Sequence, residues 1–381
     1  MSPARRAARV ATIQQTIENG AIIGAFDGGR LVGSARYHIM RQWWHGRQLP
    51  MAGVAGVKVA PEERGRGVGT AMTSALLDGI AERGYPLSAL FPATAQLYRT
   101  HGWEIGGRRF EAVLPTTALT AFTRPEQPEL PDQDAPQVRR ATPADAAAIV
   151  EIKGRVYERL LHCGPNTREP WELRNWLDDE DHFAYLADDG FLSYRWSSDM
   201  EELEVEDLTT ASAATARAFW RILASNAHMA SRVRACLPPD DPVTWLTRDP
   251  VTELQQTDSW MLRVVDVQAA IAGRGFPAGV TVSIPLNIVD AGLPANSGRW
   301  SLEVSGGVAS LTRLGDASAA RGLPRADSTA LSISARGFAA LYAGVPVATL
   351  RLAGLAAGGD PTADDALSFA FGGTAFTTDN Y

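Results

Sequence analysis

The apolar positions of the first 122 residues change their spacing several times. Between residues 5 and 18 they recur at the interval of an amphipathic helix, and two short apolar runs then flank Asp27-Gly28-Gly29. An Asp-Gly pair between two apolar runs predicts a β-hairpin. Strands that alternate with helices predict a mixed α/β unit. We expect helices over residues 5–18, 71–83 and 95–100, and strands over 21–26, 31–40, 52–60 and 86–91.

Two further units are expected after this one. Residues 123–136 are rich in proline and acidic side chains, which predicts a linker. A second α/β unit then begins with a strand, a helix that follows the N-cap Thr142, and a hairpin around Asp188-Asp189-Gly190. From residue 259 onward, short strands with Gly and Asn turns and then helices predict an α+β unit. The expected domains are residues 1–122, 137–258 and 259–381.

Composition limits the classes of function. Of the 381 residues, 45% are hydrophobic and 21% are charged, which is typical of a globular protein. A net charge of −7 disfavours nucleic acid as a partner. The cysteines, Cys163 and Cys236, form no zinc motif, and we expect reduced thiols and no metal. The N-terminus does not resemble a signal peptide and no apolar segment is long enough to span a bilayer, so we expect a cytoplasmic protein without a membrane partner.

The segment Arg64-Gly65-Arg66-Gly67-Val68-Gly69-Thr70 stands between a predicted strand and a predicted helix. Glycine lets the backbone approach a ligand closely, and the N–H groups at a helix N-terminus favour a phosphate. The two arginines add charge-assisted donors. A P-loop would need Gly-Lys-Ser or Gly-Lys-Thr, and a dinucleotide fingerprint would need a glycine where Thr70 stands. We therefore expect a cofactor that carries a pyrophosphate, with a purely structural turn as the alternative.

The spacing of Arg64, Gly67 and Gly69 resembles the pyrophosphate loop of the GNAT family of N-acetyltransferases. That resemblance implies acetyl-CoA as the co-substrate. The loop residues that would bind it are Arg64, Gly65, Arg66, Gly67, Val68, Gly69 and Thr70. In the family, the backbone of the preceding strand, here at Val57 and Val59, contacts the pantetheine arm. Nothing in the second unit matches this loop, so we expect a copy that keeps the fold and lacks the cofactor.

The order of the three units resembles the Eis (enhanced intracellular survival) acetyltransferases over nearly the whole chain. Residues 97–103, residues 258–275 and the aromatic Tyr381 carry that resemblance, and residues 296–304 resemble sterol-carrier-protein domains. The implied fold is two tandem GNAT-like mixed α/β domains followed by a sterol-carrier-protein-like α+β domain that delivers the C-terminus to the active site. The implied activity is acetyl transfer to a primary amine of the aminoglycoside, polyamine or lysine type, by a homo-oligomer, expected to be a hexamer.

The same resemblance implies the catalytic residues. Tyr98, whose phenol is protonated at neutral pH, would be the general acid that protonates the leaving thiolate. The α-carboxylate of Tyr381 would be the base. The alternatives are a core tyrosine packed beside Trp103 and a frayed tail. Phe91 stands where some members carry a histidine, and the amine therefore stays open.

Several aromatic and histidine residues are further candidates for the site, and a second function is also open. Trp43, Trp44 and His45 could line an amine-binding cleft or belong to the core or an interface. His101 is the histidine closest in sequence to Tyr98. The alternative to an acetyltransferase is a protein that binds a lipid or a small ligand in its third unit and carries a vestigial acetyltransferase unit.

Overall fold

The computed structural model describes residue 10 and residues 13–123, 136–247, 254–316 and 329–379. Within the helix expected over 5–18, residues 10 and 13–18 are described and are helical. Most of the expected linker 123–136 lies outside the described residues, and so does Tyr381.

The strands agree closely with the apolar runs of the sequence. In chain order they are β1 (Ile22–Asp27), β2 (Arg30–Trp44), β3 (Arg47–Val59), β4 (Leu87–Leu90), β5 (Glu104–Pro115), β6 (Arg139–Arg140), β7 (Cys163–Arg168), β8 (Phe183–Ala187), β9 (Gly190–Trp196), β10 (Glu202–Thr210), β11 (Arg232–Cys236), β12 (Leu254–Val264), β13 (Val282–Val289), β14 (Gly298–Ser305), β15 (Val308–Gly315), β16 (Leu331–Ser334) and β17 (Ala356–Gly358).

The helices lie between these strands and at the end of the chain. They are α1 (13–18), α2 (Val68–Glu82), α3 (Ala95–Arg99), α4 (Ala146–Arg159), α5 (Pro170–Leu177), α6 (Ala213–Ala224), α7 (Val243–Leu246), α8 (Val267–Gly273), α9 (Ala335–Tyr342), α10 (Val347–Leu352) and α11 (Asp364–Ala370). Thr142 and Asp145 form the capping box that precedes α4, as expected for an N-cap at Thr142.

The first two units share one 12-stranded sheet in the order β1-β2-β3-β4-β12-β5-β11-β10-β9-β8-β6, with β7 paired to β2. Strand β12 lies between β4 and β5 and is antiparallel to both. It continues across the boundary that we expected between residues 258 and 259. The last strand of the large sheet therefore comes from the segment that leads into the third unit.

The third unit has its own five-stranded sheet in the order β15-β14-β13-β16-β17. Its helix α9 packs against β5 and β12 of the large sheet. One apolar cluster consequently includes Met40 and Leu87 of the first unit together with Leu286 and Phe338 of the third. This contact fixes the third unit against the first.

Trp43 and Trp44 are the last two residues of β2, not part of a connecting stretch or a cleft. Trp44 is fully buried, and its ring lies edge-on to the rings of Trp260 and Tyr342, with centroids 6.3 and 4.9 Å away. Trp43 packs against Tyr157 of the second unit. The core reading of these two residues is correct, because large rings fill the space where the units meet.

Candidate active site

Strands β3 and β4 separate where the glycine loop begins. They pair in parallel from Met51 opposite Leu87 to Val54 opposite Leu90, whereas β3 continues to Val59. Its pairing with β2 shifts register in the same stretch, where Gly56 has a φ of +62°. Val57 and Val59 are half-buried and lie beyond the last residue paired with β4. A wedge thus opens at the carboxyl end of a parallel strand pair, where ligands bind in open α/β sheets.

The glycine loop adjoins this wedge. Gly65 and Gly67 have φ values of +78° and +82°, and Gly67 is the N-cap residue of α2. A Cβ atom on either glycine would meet nothing within 4 Å, so this side of the loop faces open space. The helix that follows has 15 residues, and its first N–H groups point out of its N-terminus towards that space. The geometry suits an anion such as a pyrophosphate.

Glu63 helps to position the glycine loop through ion pairs. This residue is 4% exposed, and its carboxylate forms ion pairs with both Arg30 and Arg66. The hydrogen bond from Arg30 is the largest influence on Glu63 and lowers its pKa. Arg66 is thus positioned by Glu63, whereas the side chain of Arg64 is exposed at the loop surface.

Tyr98 lies on α3, next to the start of α2. The Cδ2 atom of its neighbour Leu97 is 3.8 Å from the place that a Cβ on Gly69 would occupy. Tyr98 is 6% exposed, its ring is edge-on to that of Trp103 with centroids 6.2 Å apart, and burial raises its pKa. Among the described residues, the Tyr98 hydroxyl has no hydrogen-bond partner. Burial therefore favours the protonated form of this phenol.

Glu104 fixes α3 to the third unit. This residue is 5% exposed; its Oε1 accepts hydrogen bonds of 3.0 and 2.7 Å from Arg99 of α3. Its Oε2 accepts a 2.7 Å hydrogen bond from Nε of Arg336 of α9. His101, at the end of α3, has its Nδ1 3.1 Å from the carbonyl oxygen of Leu97. The C-terminal end of the helix that carries Tyr98 is thus held in place by Glu104.

A second polar group lies on the opposite face of β2 and was not predicted from the sequence. His38 is opposite Gly53 of β3, and its Nδ1 lies 2.9 Å from Oε1 of Glu172, with both side chains buried. Arg168 Nη1 lies 3.6 Å from Oε2 of Glu172. Arg168 also donates hydrogen bonds of 2.8 and 2.7 Å to Asp379. A chain of polar contacts through His38, Glu172, Arg168 and Asp379 therefore connects β2 to the end of the described chain.

The C-terminal segment reaches this group by passing between β5 and β7. The N–H of Arg108 donates to the carbonyl of Ala375 at 3.1 Å, and the N–H of Phe376 donates to that of Cys163 at 3.0 Å. Asn166 Nδ2 donates to the hydroxyl of Thr377 at 3.0 Å. The described part of the C-terminal segment, up to Asp379, thus lies at the junction of the first two units.

A cavity of about 390 Å³ opens beside Asp379 and is lined by Arg168, Lys153, Trp176 and other residues of the second unit. Neither the glycine loop nor Tyr98 lines it, so it is not the cofactor cleft. In the part of the chain that the structure describes, no group of three or more His, Cys, Asp or Glu side chains is placed to hold a metal ion. No helix within the same residues is both long and apolar enough to cross a membrane.

Comparisons with protein families divide the chain in the same order as the structure. Residues 2–106 and residues 164–264 each match a model of an acetyltransferase (GNAT) domain. Residues 267–375 match a model of a sterol carrier protein domain. The two GNAT matches and the sterol carrier match confirm the fold class expected from the sequence.

Individual relatives extend this similarity over most of the chain. An uncharacterized N-acetyltransferase of Streptomyces avermitilis is 31% identical, over 87% of this chain and 82% of the relative. N-acetyltransferase Eis of Mycobacterium tuberculosis is 30% identical, over 77% and 74%. A GCN5-related N-acetyltransferase structure from Kribbella flavida superposes with a TM-score of 0.88 at 39% identity, over 100% and 92%. The structure of Eis1 from Mycobacterium abscessus gives 0.73 at 26% identity, over 95% and 90%.

Proposed function

Because this chain belongs to the GNAT N-acetyltransferases of the Eis type, we propose that it transfers the acetyl group of acetyl-CoA to a primary amine of a small cationic molecule. The observation that carries this proposal is the wedge between β3 and β4, which opens next to an arginine-flanked glycine loop at the N-terminus of α2. The wedge and the loop together provide an anion site and a strand edge that a cofactor could contact, within one short stretch of chain.

In this proposal the loop from Arg64 to Thr70 binds the pyrophosphate of acetyl-CoA through its backbone N–H groups and its arginines. The backbone of Val57 and Val59, which continues past the last pair with β4, contacts the pantetheine arm. The acetyl group then lies between β3 and β4. The amine must approach from the other face of the sheet, where His38 and Glu172 lie.

The proposed reaction needs one group to accept a proton and one to donate a proton. The amine nitrogen attacks the thioester carbonyl carbon, the bond between carbon and sulfur breaks, and sulfur leaves as a thiolate. Tyr98 is the proposed donor to that thiolate, since it is protonated and its hydroxyl has no partner within the described residues. Burial disfavours its ionised form, which keeps the proton available at neutral pH.

The proposed acceptor of the amine proton is the α-carboxylate of Tyr381. That residue lies outside the described part of the chain. Support comes from Asp379, two residues earlier, which Arg168 holds in place at the junction of the units. The carboxylates of Glu172 and Asp379 in the same region favour a cationic acceptor. Aminoglycosides, polyamines and lysine side chains all satisfy that requirement.

The test is release of free thiol from acetyl-CoA in the presence of a panel of these three amine classes. We expect turnover with at least one class and none with matched alcohols, because the nucleophile must be an amine. Absence of turnover with every amine, in protein that binds CoA, would overturn the proposal. We also propose a homohexamer from the family resemblance, which analytical ultracentrifugation would test.

The alternative of a lipid carrier has little structural support. A cavity in the third unit, lined by Ile284, Leu331 and Leu367 among others, has a volume of about 40 Å³. Ligand pockets usually have volumes of roughly 300–1,000 Å³. No lipid chain fits in that cavity as it stands.

A further inference from the structure

The second unit repeats the wedge of the first. Strands β10 and β11 pair in parallel from Glu202 opposite Arg232 to Val205 opposite Ala235, and β10 then continues beyond these pairs to Thr210, still paired with β9 on its other side. Helix α6 begins three residues later at Ala213, as α2 follows β3 in the first unit. The short helix α7 follows β11 as α3 follows β4. The copy therefore keeps the topology that forms the cofactor cleft.

This second wedge contains a cavity of about 310 Å³. Its walls come from α4, from the connection between β10 and α6, from the segment after β11 and from the C-terminal segment. Representative lining residues are Tyr157, Leu208, Ser212, Asp240, Asp241 and Phe376. The volume lies at the lower end of the range of small-molecule pockets.

The charged side chains that line this cavity have the opposite sign to those at the glycine loop. Among the residues that the structure describes, no lysine or arginine lines it, whereas Asp240 and Asp241 do. The N-cap of α6 is Ser212, whose hydroxyl already accepts the N–H of Thr215 at 3.2 Å. A phosphate would therefore meet two carboxylates and a helix end that is partly satisfied, so CoA does not fit here.

Asp241 is a buried acid that lacks a basic partner within the described residues. It is 4% exposed, and its Oδ1 accepts the N–H of Val243 at 2.9 Å. Burial raises its pKa to about 7, so ionisation of this carboxyl costs free energy that a bound cation would offset. Nearby, the buried Nδ1 of His162 has no hydrogen-bond partner in the described chain, and its ring lies edge-on to Phe376 at 5.0 Å.

We propose that the cavity between β10, α6 and α7 is a second ligand site that binds a small organic cation with an apolar body, separate from the acetyl-CoA cleft. Leu160, Leu208 and Phe376 surround the apolar part, and the carboxylates of Asp240 and Asp241 bind the charge. Phe376 and Thr378 line this cavity, and Asp379 follows directly. A ligand here contacts the same segment that Arg168 anchors.

The probe is benzyltrimethylammonium, a cation that has no N–H group and so cannot be acetylated. Its binding to the full-length protein saturated with CoA is measured by calorimetry, which separates this proposal from that of the enzymatic activity. We expect wild type to bind it. Ala211→Phe places a ring in the cavity and should abolish binding. Asp241→Asn should weaken it by about tenfold or more, the effect of losing a bond to a charged group.

Two controls and a second charge variant make the result decisive. Asp78→Asn removes an exposed carboxylate from α2 and should leave the affinity unchanged. Asp240→Asn, at an exposed position, gives a second charge variant should Asp241→Asn fail to fold; it too should weaken binding. Glu172→Gln alters the acceptor face of the first unit and should have no effect.

Several outcomes would overturn the proposal. Absence of benzyltrimethylammonium binding to the wild-type protein would overturn it. Equal affinity for benzyl alcohol would also overturn it, because the site would then not recognise charge. Unchanged affinity in folded Ala211→Phe protein places the ligand elsewhere. Loss of binding in Glu172→Gln places the cation in the acceptor cleft of the first unit.

Discussion

Arg168 binds Asp379 through two hydrogen bonds, from Nε to Oδ2 at 2.8 Å and from Nη2 to Oδ1 at 2.7 Å, across 211 residues of sequence. Paired bonds between a guanidinium and a carboxylate fix orientation as well as distance. The last residue of strand β7 therefore fixes both the position and the orientation of the Asp379 carboxylate. The proposed base lies two residues further on.

Arg168→Lys should lower kcat/KM about tenfold or more, since one ammonium cannot replace two parallel bonds to a carboxylate. The measurement is steady-state thiol release over a range of amine concentrations at saturating acetyl-CoA. Arg155→Lys is the matched control, because Arg155 pairs with Glu151 on an exposed face of α4. Equal activity of both variants would show that the position of Asp379 does not matter to catalysis.

The glycine loop can be tested with two substitutions that strain the backbone equally. Gly67 and Gly84 both have positive φ, and neither would bring a Cβ atom within 4 Å of another group. Valine at either position should therefore destabilise the protein by about 1–3 kcal/mol. Only Gly67→Val should also weaken CoA binding in calorimetry. Similar CoA affinity in the two variants would remove the loop from the cofactor site.

A finer test uses Gly69, whose backbone is not strained. An added Cβ there would lie 3.8 Å from both Leu97 and Val59, an ordinary contact. Because these neighbours are the protein's own side chains, Gly69→Ala should keep both the stability of the free protein and its CoA affinity, in contrast to Gly67→Val. A thermal melt and a CoA titration on the same sample measure both quantities.

Tyr98→Phe should leave acetyl-CoA affinity nearly unchanged and lower kcat by about 10²–10⁴-fold, the range for general acid catalysis. Because burial raises the pKa of Tyr98, the wild-type rate should show no fall from loss of this proton until the pH exceeds about 10. Tyr85→Phe, at a half-buried tyrosine of the same unit, is the control. A Tyr98→Phe rate within twofold of wild type would leave this residue only its packing against Trp103.

Asp241 should make the protein less stable as the pH rises. Its pKa is about 7 in the folded protein because of burial, above its unfolded value, so the folded state keeps the proton longer. Stability is then full below about pH 4 and is lost as the pH approaches 7. Between pH 5 and 8 the loss should be about 2–3 kcal/mol. Denaturant unfolding of Asp241→Asn should lack this loss, whereas Asp78→Asn should retain it.

An extension after Tyr381 tests the proposed base. Added residues turn the α-carboxylate of Tyr381 into an amide, so a C-terminal tag should strongly reduce the turnover rate. An N-terminal tag should leave the turnover rate unchanged. Tyr381→Phe keeps the carboxylate and should be nearly silent. Full activity of a folded, C-terminally tagged enzyme would direct the search for the base to Glu172 and Asp379.

The loop from Arg64 to Gly69 and the helix that carries Tyr98 were predictable, because each lies in one continuous segment with its own spacing. The pair of His38 and Glu172 was not, because these residues are 134 positions apart and neither belongs to a local motif. The alternation along β2 puts His38 and Met40 on one face. It does not reveal which part of the chain covers that face.

The expected domain boundary after residue 258 shows that local sequence also fails to reveal distant partners in the fold. The apolar pattern over residues 259–264 predicts a strand but does not say which sheet it joins. Pairing with β4 and β5 depends on segments more than 140 positions earlier in the sequence. The sequence left the roles of Trp43 and Trp44 open for the same reason, since their partners lie far away in the chain: Tyr157 for Trp43, and Trp260 and Tyr342 for Trp44.

The place of β12 between β4 and β5 has a consequence for synthesis on the ribosome. When β4, α3 and β5 have left the exit tunnel, the strand that joins β4 to β5 has not yet been translated. Until residue 264 has emerged, the facing edges of β4 and β5 therefore stay unpaired, a state prone to wrong pairing and to capture by chaperones. A gene truncated to residues 2–106, the first GNAT match, would encode every residue of the glycine loop. Its product would still lack β12, the strand that fills the sheet between β4 and β5.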